Sequence, residues 1–225
     1  MAASAATTPR APARLQAQAL GLQRGGRPLF QALSFELEAG RALHLQGDNG
    51  SGKTSLLRLI AGLAPLQAGQ LLWDGRRVRP QSETWRRGLL YAAHAAALKA
   101  EFTALENLRW QARLSGHAVQ DKDIHDALLR LGLRDQIHTP ARQLSQGQKK
   151  RLSLASLFLP LNWQLLLLDE PFDALDQASV ELLKTRLGEL LAQSASVIYT
   201  SHQSQSLQPD TDTVLRLERP HGPLH

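Results

Sequence analysis

Apolar residues along the chain fall into two kinds of run, short strand-like runs and longer runs with helical spacing. Leu43 and Leu45 alternate with polar neighbours, which predicts a strand, and residues 55–62 carry apolar side chains at helical spacing. Four consecutive leucines at 165–168 cannot alternate between two faces, so they predict a parallel strand buried on both sides. The β-branched and aromatic run at 197–199 predicts another strand. Strands interleaved with helices favour an α/β fold.

The middle of the chain, from about residue 101 to 159, has mainly helical spacing. Thr103 has the character of a helix cap, with Glu106 three residues later as its capping-box partner. Further helices are predicted at 121–133 and 146–159. These segments form a helical region between two strand-rich parts of the chain.

Residues 47–54 read GDNGSGKT, a full match to the phosphate-loop pattern G-x-x-x-x-G-K-[ST], placed between the predicted strand and helix. The glycines let successive backbone N–H groups point inward at phosphate oxygens. Lys53 then reaches the terminal phosphates, and the Thr54 hydroxyl is placed to ligate Mg²⁺. The predicted nucleotide-binding residues of this loop are Gly47, Asp48, Asn49, Gly50, Ser51, Gly52, Lys53 and Thr54.

A second set of motifs lies about a hundred residues downstream. The string Leu-Ser-Gln-Gly-Gln at 144–148 precedes a predicted helix, where a hydroxyl and a helix N-terminus would face an anion. Asp169 and Glu170 follow the leucine strand, at the end where open α/β sheets bind ligands. An acidic helix cap is the alternative interpretation of this pair. His202 follows the strand at 197–199, which would place it beside the phosphates.

The order of these motifs, together with Ala-Leu-Asp at 174–176, resembles the nucleotide-binding domain of ATP-binding cassette (ABC) proteins from about residue 15 to 217. The resemblance implies an α/β P-loop NTPase with a RecA-like core, an antiparallel β subdomain and a helical subdomain at about 98–160. The expected organisation is one domain at 14–217, with tails at 1–13 and 218–225.

The resemblance also implies roles for the motif residues. Asp169 would hold Mg²⁺, mostly through water, Glu170 would polarise the attacking water, and His202 would sense the γ-phosphate. The string at 144–148 corresponds to the family's signature string, which would close over ATP bound to another subunit. This implies a head-to-tail dimer of two copies. The predicted ATP contacts of the string are Ser145, Gly147 and Gln148.

Three positions depart from the family pattern. Gln146 stands where a small residue is usual in the signature. Ala95 aligns with a glutamine that normally touches Mg²⁺ and relays nucleotide state to the membrane subunit, so either the preceding His94 substitutes or that contact is missing. The aromatic residue that usually stacks on adenine is absent beside Arg24. The Arg24 guanidinium or Phe30 is left as the stacking group.

Composition and charge limit the domain organisation and the partners that the chain can have. The 225 residues, 43% of them hydrophobic, suit one cassette, and the chain has no cysteine for disulfide or thiolate chemistry. The net charge of +6 comes from scattered basic residues without interleaved aromatics, which argues against nucleic acid and suits an anionic membrane surface. No apolar run approaches the roughly 20 residues that span a bilayer, so the pore is expected in another chain. The Ala/Thr/Pro-rich start superficially resembles a transit peptide, but a disordered tail is the preferred interpretation.

Shorter strings resemble the ATP-binding subunit of the cytochrome c maturation system, notably Thr-Ala-Leu-Glu-Asn-Leu at 103–108 and Thr-Ser-His-Gln at 200–203. This resemblance implies ATP hydrolysis on the cytoplasmic face of the bacterial inner membrane, coupled to permease subunits. Whether haem is exported or a haem-chaperone complex is released stays open. The alternatives are the ATPase of another ABC exporter and a soluble cassette protein outside transport.

Overall fold

The computed structural model describes residues 13–94, 97–201, 207 and 212–218, which form two sheets and a set of helices. The strands are β1 Ala13–Arg24, β2 Arg27–Glu38, β3 Ala42–Gln46, β4 Ala68–Trp73, β5 Arg76–Arg77, β6 Leu89–Ala92, β7 Leu165–Leu168, β8 Ser196–Thr200 and β9 Thr213–Arg216. The helices are α1 Lys53–Ile60, α2 Glu83–Arg87, α3 Ala104–Leu114, α4 Asp121–Arg130, α5 Gln146–Ser153 and α6 Gln177–Ala192.

The larger sheet is parallel throughout and has the strand order β6-β7-β8-β3-β9. All four leucines of β7 are buried, as the sequence predicts. Leu166 and Leu168 belong to one hydrophobic core, whereas Leu165 and Leu167 belong to the other, because alternate residues of a strand point to opposite faces. The sheet therefore separates two cores, and its carboxyl ends form one edge.

The smaller sheet is antiparallel, with the order β2-β1-β4-β5. It shares a core with α1 and one face of the parallel sheet, where Leu15, Leu37, Leu56 and Leu165 are buried together. This packing holds the start of α1 against the end of β3, and so it positions the loop between them.

The helical region contains α3, α4 and α5. The predicted capping box at Thr103 and Glu106 is confirmed, with both reciprocal hydrogen bonds present. Two predicted helices are shorter than expected. Helix α4 ends at Arg130, since Gly132 adopts a left-handed conformation. Helix α5 ends at Ser153 and gives way to a 3-10 turn at Ala155–Phe158.

The early end of α5 has a local cause. The amide of Leu154 divides its hydrogen bond between the carbonyls of Lys150, at 3.3 Å, and Arg151, at 3.2 Å. Such shared bonds are typical of helix ends that tighten into 3-10 geometry. The side chain of Arg186 then binds the carbonyl of Leu157 at 2.7 Å, which holds the turn against α6.

None of the helices in the described part of the chain is both long and apolar enough to cross a bilayer.

Candidate functional site

The phosphate-loop motif connects β3 to α1, as its sequence context predicts. Gly47 has φ 146° and Gly52 has φ 107°, a region that residues with a Cβ rarely adopt. A Cβ at Gly47 would also collide with the Leu217 carbonyl and the Ser51 hydroxyl. Glycine is therefore required at both ends of the loop, and the tight path turns the start of α1 toward the sheet edge.

Lys53 lies within this loop and is almost fully buried. Its Nζ donates hydrogen bonds to the carbonyls of Gly47, at 2.6 Å, and Asp48, at 3.1 Å. The buried Ser51 Oγ has no hydrogen-bond partner among the described residues. The N–H groups of the first turn of α1 have no partner within the helix, so the loop offers a cation, a hydroxyl and backbone donors, which is the donor set that an anion needs.

Asp169 and Glu170 leave the carboxyl end of β7 and are buried, at 3% and 5% exposure. Thr200 of the neighbouring β8 holds both, since its hydroxyl donates to Asp169 Oδ1 at 2.9 Å and accepts from the Glu170 amide at 2.8 Å. The alternative of an acidic helix cap is wrong, because the next helix begins only at Gln177 and Asp176 caps it.

One cleft of about 830 Å³ brings the phosphate loop and the acidic pair together, although they are more than a hundred residues apart in sequence. Asp169 Oδ2 is buried and lacks a hydrogen-bond partner within the described ranges. Together with the Thr54 hydroxyl in the same cleft, it supplies hard oxygen ligands of the kind Mg²⁺ prefers. The residues present therefore fit a magnesium ion.

Tyr91 and Arg58 also line the cleft, although no motif in the sequence indicates them as site residues. Burial, together with the charge of Asp169, raises the pKa of Tyr91 to about 12. The phenol therefore stays neutral beside the acidic pair at any physiological pH. Its only sequence signal is its place in the strand that leads to His94.

The two proposed adenine-stacking residues have different surroundings. Arg24 lines the cleft together with Leu29. Phe30 is buried, and its ring packs beside Gly52, where even a Cβ would come within 3.3 Å of it. Phe30 is thus part of the floor under the loop, and Arg24 remains the predicted stacking residue.

His94 is also a cleft residue, with a side chain that is 60% exposed. Its Nδ1 lies 3.9 Å from Asp173 Oδ2, so a protonated imidazole would form an ion pair with the loop that follows Glu170. The predicted sites at Ala95 and His202 lie outside the described residues.

The signature residues stand at the start of α5 and do not line the cleft of their own chain. Ser145 Oγ accepts from the Gln148 amide at 3.2 Å, and Gln148 Oε1 accepts from the Ser145 amide at 2.8 Å. This capping box engages the Gln148 side chain within the helix, so the predicted ATP contact of Gln148 stays a prediction. Ser145 and Gly147 keep the geometry of a helix N-terminus, and their contact with ATP is likewise a prediction.

Comparison with known proteins agrees with this architecture. The ABC transporter family model matches residues 30–173. A cytochrome c biogenesis ATP-binding export protein of Aromatoleum aromaticum is 47% identical over 84% of this chain and 88% of its own length. The protein of the same description from Vibrio cholerae is 39% identical over 84% of this chain and 91% of its own.

Solved structures share the fold. The ATP-binding subunit of an ABC transporter superposes with a TM-score of 0.82 at 24% identity, covering 91% of this chain and 86% of that one. An ATP-binding cassette determined as a dimer in a post-hydrolysis state with ADP and Pi has a TM-score of 0.79 at 19% identity, covering 91% and 94%. The phosphate loop, the acidic strand end and these similarities together show that the chain belongs to the ABC transporter family and is one of its ATP-binding cassettes.

Proposed function

We propose that this chain is the ATP-hydrolysing, energy-coupling subunit of an ABC transporter complex that serves the biogenesis of c-type cytochromes. As an ABC-type ATPase it binds ATP and hydrolyses it to ADP and phosphate. Relatives that are 39–47% identical over most of the chain are named cytochrome c biogenesis ATP-binding export proteins, which supports the pathway. The observation that carries the ATPase role is the single cleft joining Lys53 and Thr54 to Asp169 and Glu170.

The geometry suggests how the cleft works. The backbone N–H groups of the loop receive the phosphates, and Lys53 exchanges its carbonyl partners for phosphate oxygens. Thr54 and Asp169 would hold Mg²⁺, which neutralises charge that develops on the transferred phosphoryl group. Glu170 lies beside them, and its carboxylate takes the proton of the attacking water. His202 is proposed as the group that senses the γ-phosphate.

A second copy of the chain is proposed to complete the site. Ser145 and Gly147 present a helix N-terminus but lie outside their own cleft, so their donors are available to ATP on another copy. The permease is proposed to dock at a groove of about 220 Å³ between β6 and α3, where Trp110 and Leu114 are exposed. The cassette would then work peripherally at the cytoplasmic face of the inner membrane.

The pathway is tested in a strain that lacks this gene, by staining covalently bound haem in c-type cytochromes. The wild-type gene should restore the haem signal, whereas Glu170→Gln should not, although the variant protein accumulates. Normal haem attachment in the deletion strain would assign the ATPase to another exporter. Co-purification from detergent-solubilised membranes then identifies the permease.

A further inference from the structure

A buried lysine of α5 reaches the residue proposed to activate water. Lys150 is 7% exposed, and its Nζ donates a hydrogen bond of 2.6 Å to the backbone carbonyl of Glu170. The two residues belong to different parts of the fold, since α5 carries the signature string and Glu170 follows β7, an interior strand of the parallel sheet. Burying an ammonium group against a main-chain carbonyl costs free energy, because burial disfavours the charged form.

The peptide groups of Glu170 are held from both sides. Thr200 of β8 accepts a hydrogen bond from its amide, and Lys150 donates to its carbonyl. Glu170 has φ 50°, a left-handed conformation that residues other than glycine, asparagine and aspartate seldom adopt. Such a conformation persists when the surroundings determine it more strongly than the residue's own preference, and it sets the direction in which the side chain leaves the backbone.

The contact belongs to a continuous face of α5. Gly147, Lys150 and Arg151 are spaced at i, i+3 and i+4, so they lie on one side of the helix. Along this side, a Cβ at Gly147 would lie 3.4 Å from the Ala174 carbonyl, and Arg151 Nη1 lies 3.9 Å from Asp176 Oδ2. The signature helix therefore rests on the loop at 170–176, with Lys150 as its buried contact at the start of that loop.

We infer that Lys150 is a positioning residue that fixes the backbone of Glu170 and thereby links the signature helix to water activation in the same chain. The inference rests on the proposed role of Glu170. Any movement of α5, such as one caused by ATP at the signature residues, would reach the carboxylate through this bond. Burial, the largest effect, lowers the pKa of Lys150, and the carboxylates of Asp173, Asp169 and Glu170 oppose this shift because they stabilise the ammonium form.

The test compares three substitutions by steady-state ATPase kinetics and equilibrium ATP binding. Lys150→Met removes the cation and keeps the length, and kcat should fall ~10- to 10²-fold while ATP affinity changes less than about twofold, because misplacement of a catalytic group acts on turnover. Lys150→Arg keeps a cation and should recover most of the rate. Lys149→Met is the matched control on the same helix, since it is only half-buried, and it should turn over normally.

A double variant separates positioning from a general loss of structure. In a Glu170→Gln background, Lys150→Met should cause little further loss of single-turnover rate, because Lys150 acts through the carboxylate that is already gone. Independent losses that multiply, or a wild-type kcat in Lys150→Met, would overturn the inference. Thermal unfolding reports whether the variants fold, and Lys150→Leu, which also lacks a donor, replaces the methionine variant if that one does not.

The outcome also distinguishes this inference from the proposed function. A wild-type rate in Glu170→Gln alone would refute the assignment of Glu170 itself. Normal turnover in Lys150→Met beside a disabled Glu170→Gln would refute only the role of Lys150.

Discussion

Replacing Lys53 with alanine tests the phosphate site directly. In the described structure its ammonium group satisfies two main-chain carbonyls, Gly47 at 2.6 Å and Asp48 at 3.1 Å. On binding ATP, the same group exchanges these neutral acceptors for charged phosphate oxygens, and hydrogen bonds to charged groups contribute about 1.5–3 kcal/mol each. Two bonds to phosphate at the upper end of that range contribute about 6 kcal/mol, and the two bonds to carbonyls that are given up, at its lower end, contribute about 3 kcal/mol, which leaves about 3 kcal/mol.

That difference corresponds to a rise of ~10²-fold in the dissociation constant of ATP, since 1.4 kcal/mol is a factor of ten. Isothermal titration calorimetry of Lys53→Ala should show this loss, and hydrolysis should fall with it. Lys122→Ala, which removes an exposed lysine of α4, is the control for the change in net charge. An ATP affinity within twofold of wild type would refute the assignment of the phosphate loop, provided that the thermal unfolding of the variant is normal.

Further predictions address the chemistry, the coupling, the core and the pH dependence. Glu170→Gln should bind ATP but hydrolyse it at least ~10²-fold more slowly, the usual scale for loss of a general base, and should trap an ATP-dependent dimer seen by size-exclusion chromatography. If His94 replaces the glutamine missing at Ala95, His94→Ala should abolish stimulation of the ATPase rate by the permease in liposomes, while Ala95→Gln is tolerated. Full stimulation of the His94→Ala variant would discard that role. Leu166→Ala should lower the free energy of unfolding in urea by about 2–5 kcal/mol, because Leu166 of β7 is fully buried in one of the two cores. The raised pKa of Tyr91, about 12, favours the neutral phenol in the folded state, so its contribution to stability is complete below pH ~10 and is lost as the pH rises through 12. Tyr91→Phe should therefore lose less stability than wild type over that interval.

Several features of the protein follow from sequence because their causes are local. The phosphate loop needs glycines at particular backbone angles, and the strand of four leucines must be buried on both faces wherever it lies. The capping box at Thr103 involves residues three apart, so its spacing alone predicts it. The approach of Asp169 to the loop was also predictable, since carboxyl ends of parallel strands share one edge.

Other features depended on contacts between distant residues. The alternation around Leu43 indicates a strand, yet it does not reveal that His44 is buried, because the stacking of its ring on Tyr199 at 4.6 Å depends on the pairing of β3 with β8. The place of Phe30 beneath Gly52 likewise depends on how β2 packs on α1. The spacing of apolar residues predicted that α5 continues to residue 159. The helix ends at Ser153 instead, because spacing carries no information about the hydrogen bonds that end it.

The phosphate loop and the acidic pair of the cleft, and the signature string outside it, can be identified from the sequence alone, because each is defined by residue type and short spacing. The connections between these parts depend on the tertiary structure. Lys150 and Glu170 are twenty residues apart, and their bond forms because α5 packs against the loop after β7. Such a packing arises from the burial of many side chains together, so no short pattern of residues encodes it.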